Sequence, residues 1–187
     1  MKKLTDLRKK FLFALLLILI AACVAEGKSS KADNIANLFI RVNPSLSAKT
    51  AQNYASIIIQ ACEKFSQDPY VIAALVVHES TVNHKAVSKG GDYGLMQIRW
   101  KIHSKAIKQR FPKVKKAKDL FDARTNIFYG TEIFSDGMKK SGGNLNKGIL
   151  LYSSGNKKLV NKVTATMNEL NNHGKSAKKK VTPKKKK

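Results

Sequence analysis

Residues 68–79, Asp-Pro-Tyr-Val-Ile-Ala-Ala-Leu-Val-Val-His-Glu, constrain this chain more than any other segment. Asp68 followed by Pro69 is a helix start. The carboxylate caps the first free amides, and proline's fixed φ and missing N–H suit the first helical position. The pattern predicts a helix ending near Ser80. Every residue from Tyr70 to Val77 is apolar, so this helix has no polar face to offer water and must run through the middle of a domain. A carboxylate then closes it. Glu79 stands at the end of a dry element, where the helix dipole is negative, and both conditions penalise its charged form. The result is a carboxylic acid that keeps its proton near neutral pH and can protonate a leaving oxygen. The competing reading is a glutamate whose side chain simply reaches solvent.

The flanking segments supply the cover that such a helix needs. Ser47 caps a helix running to about Phe65, with Ala51, Tyr54, Ile58, Ala61 and Phe65 at spacings of three and four. Asp122 caps another through Asn126, Ile127, Gly130, Phe134 and Met138, stopped before Gly142-Gly143. Further helices fit Leu145–Tyr152 and Lys157 to about Asn171, the last ended by His173-Gly174. After the Gly90-Gly91 turn, Tyr93–Trp100 is either a short strand or an extended turn. Alternation of period two is scarce and no internal repeat is present. With 187 residues, 43% of them hydrophobic, the chain suits one mainly α domain with a real core, over residues 34–172.

The N-terminus has a different character. Lys2, Lys3, Arg8, Lys9 and Lys10 precede an uninterrupted apolar run, Phe11–Ala22, which is short for a permanent membrane span. This reads as a signal peptide over residues 1–22. Its end, Ile20-Ala21-Ala22-Cys23, resembles a bacterial lipobox, in which the cysteine is lipidated and becomes the new N-terminus. The alternative is an ordinary secretory signal with an incidental cysteine. Residues 23–33 would then be the lipidated Cys23 and a polar tether. The chain is expected to be exported and anchored to a membrane. In a two-membrane cell Val24, which is not aspartate, favours the periplasmic face of the outer membrane. Cys62 is left alone in an apolar helical pattern, where a thiol serves packing.

Charge points to the partners. The formal net charge is +24, and it falls only to +20 when residues 1–22, with five basic residues and Asp6, are removed. Such a field favours polyanions: nucleic acid, anionic lipid or an acidic wall polymer. Export makes nucleic acid an unsuitable partner. Residues 173–187, largely lysine, have too little apolar content to fold alone, and are expected to form a disordered tail touching anionic lipid or wall polymer.

His78-Glu79 also begins a metalloprotease-like pair, but the zinc motif needs a second histidine three residues after the glutamate. Val82 stands there, and the next histidine is His84, on another side of any helix. No other ligand cluster is evident, so neither a metal nor a cofactor is expected. His78, His84, His103 and His173 read as surface or satisfied core residues.

The residues after Glu79 are more specific. Glu79-Ser80, Asn83, Ala86-Val87-Ser88 and Gly94-Leu95-Met96-Gln97 occur in order and resemble the signature of the soluble lytic transglycosylases, which share the lysozyme-like fold with goose-type lysozyme. Leu120-Phe121-Asp122 with Asn126-Ile127 and Gly130 forms a second block, and Leu151–Asn156 a third. The resemblance covers about residues 47–172. It implies a peptidoglycan glycan strand as substrate, cut between N-acetylmuramic acid and N-acetylglucosamine. Glu79 would act as acid and then as base, leaving a 1,6-anhydro sugar. It also implies that Ser88 lies near the substrate's N-acetyl group, that Met96, Gln97 and Tyr93 contact substrate, and that Tyr152 hydrogen-bonds Glu79. Ser80 and Asn126 would be supports.

Two alternatives stay open. Asp92 would give a goose-type muramidase if its carboxylate faced the cleft and positioned a water; otherwise it is a solvated turn residue. A cationic wall-binding lipoprotein without catalysis is the other. The chain departs from the family pattern at His84, where proline is common, at Ser153, where asparagine is usual, and at Arg99, where an apolar residue is frequent.

Overall fold

The computed structural model describes residues 10–13 and 31–181, with side chains through residue 172. Cys23, the lipobox, residues 24–30 of the tether and residues 182–187 lie outside the described residues. The elements in order are α1 (residues 31–42), α2 (Ala48–Phe65), α3 (Pro69–Ser80), β1 (Asp92–Tyr93), β2 (Ile98–Arg99), α4 (Trp100–Arg110), a 3-10 turn (Ala117–Phe121), α5 (Ala123–Lys140), α6 (Leu145–Tyr152) and α7 (Lys157–Val181).

The apolar helix is central. In α3, Ile72, Ala73, Ala74, Leu75 and Val76 are wholly buried, and the helix packs on α2 and α7. Asp68 caps it by accepting the Tyr70 N–H at 2.8 Å, with Pro69 in the first turn. Ser47, Asp122 and Asn144 cap α2, α5 and α6 in the same way, through the N–H groups of Thr50, Thr125 and Lys147. Helix α5 lies against α2 and α6, closing the other side of the core. Cys62 is buried in α2, and burial pushes its thiol pKa up. His78 is a satisfied histidine, with Nε2 2.9 Å from Thr166 Oγ1 on α7.

A smaller apolar cluster of Ile98, Ile107, Val114, Leu120 and Tyr129 sits beneath the two short strands. The strands pair antiparallel, Asp92 opposite Arg99 and Tyr93 opposite Ile98, so the segment is a two-residue ribbon around the Gly94–Gln97 turn.

Three boundaries differ from the sequence reading. The tether is shorter, because residues 31–33 are already helical and Ala32, Ile35, Ala36 and Phe39 pack into the core. Helix α4 was not foreseen: "WKIHSKAIKQR" buries only Ile107, and its N-cap, Arg99, makes no side-chain capping bond. Helix α7 does not stop at His173-Gly174 but continues to Val181, so much of the expected disordered tail is helical. A single glycine costs a helix about 1 kcal/mol and does not forbid it.

Candidate active site

Helix α3 ends abruptly at the site. Thr81 takes a left-handed conformation (φ 53°) and its N–H closes on the Val77 carbonyl at 3.0 Å. Val82 follows, also left-handed (φ 59°) and wholly buried. A β-branched residue in that region is strained, by about 1–3 kcal/mol, and the packing of Val82 in the core holds it there. The sharp exit leaves Glu79 lining a cleft of about 200 Å³ instead of continuing into another helical turn.

Five elements wall the cleft. Glu79 comes from the end of α3. The ribbon gives Asp92, Gln97, Ile98 and Arg99, α4 gives Ile102 and His103, and α5 gives Ile133. Tyr152 from α6 and the following Ser153, Ser154 and Asn156 complete it. A second cavity of about 260 Å³ shares His103, Ile133 and Tyr152 with the first, so the groove continues past Glu79 toward the Arg110–Glu132 ion pair.

Glu79 is half-buried, and among the described residues its carboxyl has no hydrogen-bond or ion-pair partner. Burial pushes its pKa up to about 7, helped by the negative charge of Asp92. Asp92 is held in the opposite state. Its carboxylate accepts from Arg99 Nε at 2.7 Å on Oδ1, and from Arg99 Nη2 at 3.0 Å and Ser88 Oγ at 2.7 Å on Oδ2. Those donors, the Arg99 guanidinium foremost, hold its pKa below the usual carboxylate value. Asp92 is therefore no solvated turn residue: its side chain is only 16% exposed and lines the cleft.

The other site residues divide between the cleft and its foundations. Gln97 lines the cleft, with Nε2 donating to the carbonyls of Gly94 (2.9 Å) and Ala86 (3.3 Å), and its backbone is left-handed (φ 47°). Tyr152 lines it too, but its hydroxyl donates to the Met96 carbonyl at 2.6 Å and not to Glu79. Burial raises its pKa well above 10, with Glu79 and Asp92 adding to the effect. Ser88 does not line the cleft. Its hydroxyl accepts from the N–H groups of Gly90 and Asp92, both at 3.1 Å, and donates a hydrogen bond to the Asp92 carboxylate, so it clasps the turn.

Met96 is wholly buried against Gly130, where even a Cβ would come within 2.5 Å of its sulfur. Only its backbone serves the site, through Tyr152. Tyr93 does not line the cleft: it packs on the smaller apolar cluster with its cross-strand partner Ile98, its ring 6.0 Å from that of Phe121. Ser80 is buried and bonds back to the Val76 carbonyl at 3.0 Å. Asn126, wholly buried on α5, accepts from the Met96 N–H at 2.7 Å and donates to the carbonyls of Tyr93 (2.8 Å) and Leu120 (2.9 Å). It ties the ribbon to the helical core. Ile102, His103, Ile133, Ser154 and Asn156 were not picked out as site residues in the sequence; only their positions after the fold is known join them to the cleft.

Among the described residues no group of three or more histidine, cysteine, aspartate or glutamate side chains is placed to hold a metal ion.

A mainly α domain in which a helix-terminal carboxylic acid faces a groove, beside a short ribbon carrying Gly-Leu-Met-Gln, is of the lysozyme-like class. Residues 56–175 match the family model described as the transglycosylase SLT domain, and the chain belongs to that family. The family acts on peptidoglycan.

Proposed function

We propose that this protein is a lytic transglycosylase that cuts the β-1,4 bond between N-acetylmuramic acid and N-acetylglucosamine in peptidoglycan, with Glu79 as its catalytic residue. The observation that carries the reading is a carboxyl group without a hydrogen-bonding partner among the described residues, its pKa pushed up to about 7 by burial, lining a cleft that opens into a second cavity past His103, Ile133 and Tyr152. In the first half-reaction the Glu79 proton passes to the bridging oxygen, and the C1–O bond breaks with its electron pair on that oxygen. In the second, the muramoyl C6 hydroxyl oxygen bonds to C1, and its proton goes to the Glu79 carboxylate. Glu79 ends as it began, no water is consumed, and a 1,6-anhydro ring closes the new end.

Gln97 and Tyr152 are substrate-facing residues in this reading, and Ser153, Ser154 and Asn156 offer polar contacts for sugar hydroxyls. Ser80, Ser88 and Asn126 act beneath the site. Lipidation of Cys23, export, and attachment to the periplasmic face of the outer membrane in a two-membrane cell rest on the sequence pattern 20–24. They would hold the groove within reach of the wall, with the basic surface adding attraction to anionic lipid or wall polymer.

Asp92 supports a second reading, a muramidase, because it lines the same cleft as Glu79. Digestion of purified sacculi followed by mass spectrometry separates the readings. Anhydromuramoyl ends, absent with Glu79→Gln, are the expected result. Reducing ends alone would establish the hydrolase, and no released fragments from the wild-type protein would leave a wall-binding role.

A further inference from the structure

Arg99 and Asp92 form an ion pair built into the cleft wall itself. Asp92 on β1 and Arg99 on β2 are direct cross-strand partners, so their geometry is set by backbone register. The guanidinium meets the carboxylate edge-on, Nε to Oδ1 and Nη2 to Oδ2, the two-point arrangement that only arginine offers. Ser88 supplies a third donor to Oδ2. Gly90 leaves room for the assembly: a Cβ there would stand 3.2 Å from Arg99 Nη2 and 3.4 Å from Asp92 Oδ2. A carboxylate so occupied is a poorer base and is held in place, so it cannot swing toward the sugar to carry a water to C1.

We propose that Arg99 is a positioning residue that selects the outcome of the reaction: by clamping Asp92, with Ser88, it denies the cleft a second working carboxylate and so leaves C1 to the sugar's own C6 hydroxyl. The proposal rests on the transglycosylase reading and extends it to the choice between lyase and hydrolase. Both courses begin with the same proton transfer from Glu79. In the clamped enzyme the C6 hydroxyl closes on C1 and returns its proton to Glu79. With Asp92 released, a water held by its carboxylate bonds to C1 and gives up one proton to Asp92, and that proton exchanges through solvent to restore the acid form of Glu79. The new end then carries a hydroxyl from solvent in place of the anhydro bridge.

The test is digestion of sacculi in 18O-labelled water by the full chain and by the variants Arg99→Leu, Arg99→Lys, Ser88→Ala and the double variant Arg99→Leu/Asp92→Asn. Mass spectrometry reads the ratio of 18O-labelled reducing ends to anhydro ends, and circular dichroism checks folding. The wild type is expected to give nearly all anhydro ends. Arg99→Leu should raise the labelled share several-fold, and Arg99→Lys and Ser88→Ala should raise it less. Adding Asp92→Asn should reverse the rise, which a merely structural role for Arg99 would not produce. If Arg99→Leu fails to fold, the lysine and alanine variants decide. An unchanged ratio in every folded variant, with a wild type that makes anhydro ends, overturns the clamp alone. A wild type that makes only labelled ends, or none, overturns the transglycosylase reading and the clamp with it.

Discussion

Two of the walls of the cleft, the end of α3 and the ribbon, each present a carboxyl group, and they hold it in opposite states. The α3 wall is dry: an all-apolar helix delivers Glu79 without a hydrogen-bonding partner among the described residues, and burial raises its pKa to about 7. The ribbon wall is polar: Asp92 accepts three donors, and its pKa is lowered. The residues are near-identical chemically, so the difference comes from surroundings. One carboxyl is made an acid by what is withheld from it, the other a fixed charge by what is given to it. Each also sharpens the other, since the fixed negative charge of Asp92 adds to the reluctance of Glu79 to ionise.

The comparison breaks most completely at the dry wall. Glu79→Gln keeps the shape and removes the proton, so release of muropeptides should fall by about a hundred- to ten-thousand-fold, the usual contribution of a general acid and base. Its thermal transition should not fall, because no hydrogen bond or ion pair is lost. The ribbon wall breaks through its foundation. Asn126→Ala would strand the buried Met96 N–H and the carbonyls of Tyr93 and Leu120, at about 1–3 kcal/mol for each unsatisfied group. Gly94→Ala attacks the same junction from the other side. Its φ is +78°, and the added carbon would stand 2.2 Å from Asn126 Nδ2 and 2.5 Å from the Leu120 carbonyl. Both variants should show a markedly lower melting temperature, with activity lost as the ribbon loosens. A wild-type melting curve for either would mean that Asn126 does not carry the ribbon.

How much of this was legible in the sequence differs between the walls. The dry wall was nearly all readable, because Asp68-Pro69 and eight apolar residues admit one burial pattern, and the terminal glutamate inherits that environment. The ribbon wall was readable only as a motif. Nothing in "GGDYGLMQIR" says that Asp92 and Arg99 fall in register across a two-residue ribbon, which is why the sequence leaves Asp92 open between a cleft-facing carboxylate and a solvated turn residue, and marks Arg99 only as a departure. The motif also does not say where its side chains point. Met96, Tyr93 and Ser88 stand beside substrate-facing positions in sequence, but the apolar cluster around Ile98, the pit at Gly130 and the tight turn draw their side chains into the core or the turn. Helix α4, with His103 and Ile102, was invisible because a lysine-rich segment burying one isoleucine carries little periodic signal.

A finer probe is the coupling between the walls. The charged or titratable side chains that line the cleft with Glu79 are Asp92, Arg99, His103 and Tyr152. Burial lowers the His103 pKa, with Arg99 acting in the same direction, and the Tyr152 hydroxyl titrates far above the working range. The acid form of Glu79 is present below its pKa and lost above it, so activity should decline as pH rises through about 7. Asp92→Asn removes a negative neighbour, which eases ionisation of Glu79 and moves that decline to lower pH. A pH profile of anhydromuropeptide release measures the shift; a decline that stays in place or moves upward would show that the two carboxyls do not sense each other.

The smallest expected effect is at Tyr152, and it asks which wall the tyrosine serves. The family resemblance assigns its hydroxyl to Glu79, whereas in the structure the hydroxyl donates a hydrogen bond to the Met96 carbonyl on the ribbon side. Tyr152→Phe leaves the ring packed against Phe134 and removes only that bond. The loss in stability should be near the net worth of one hydrogen bond, about 1 kcal/mol. If the hydroxyl serves the ribbon, this modest fall in melting temperature comes with a largely preserved pH profile, because Glu79 keeps its dry surroundings. If it turns to Glu79 once sugar fills the groove, the same variant slows turnover far more than it lowers stability and moves the alkaline decline in rate. Measuring both quantities on one variant therefore tells whether substrate redraws the boundary between the two walls.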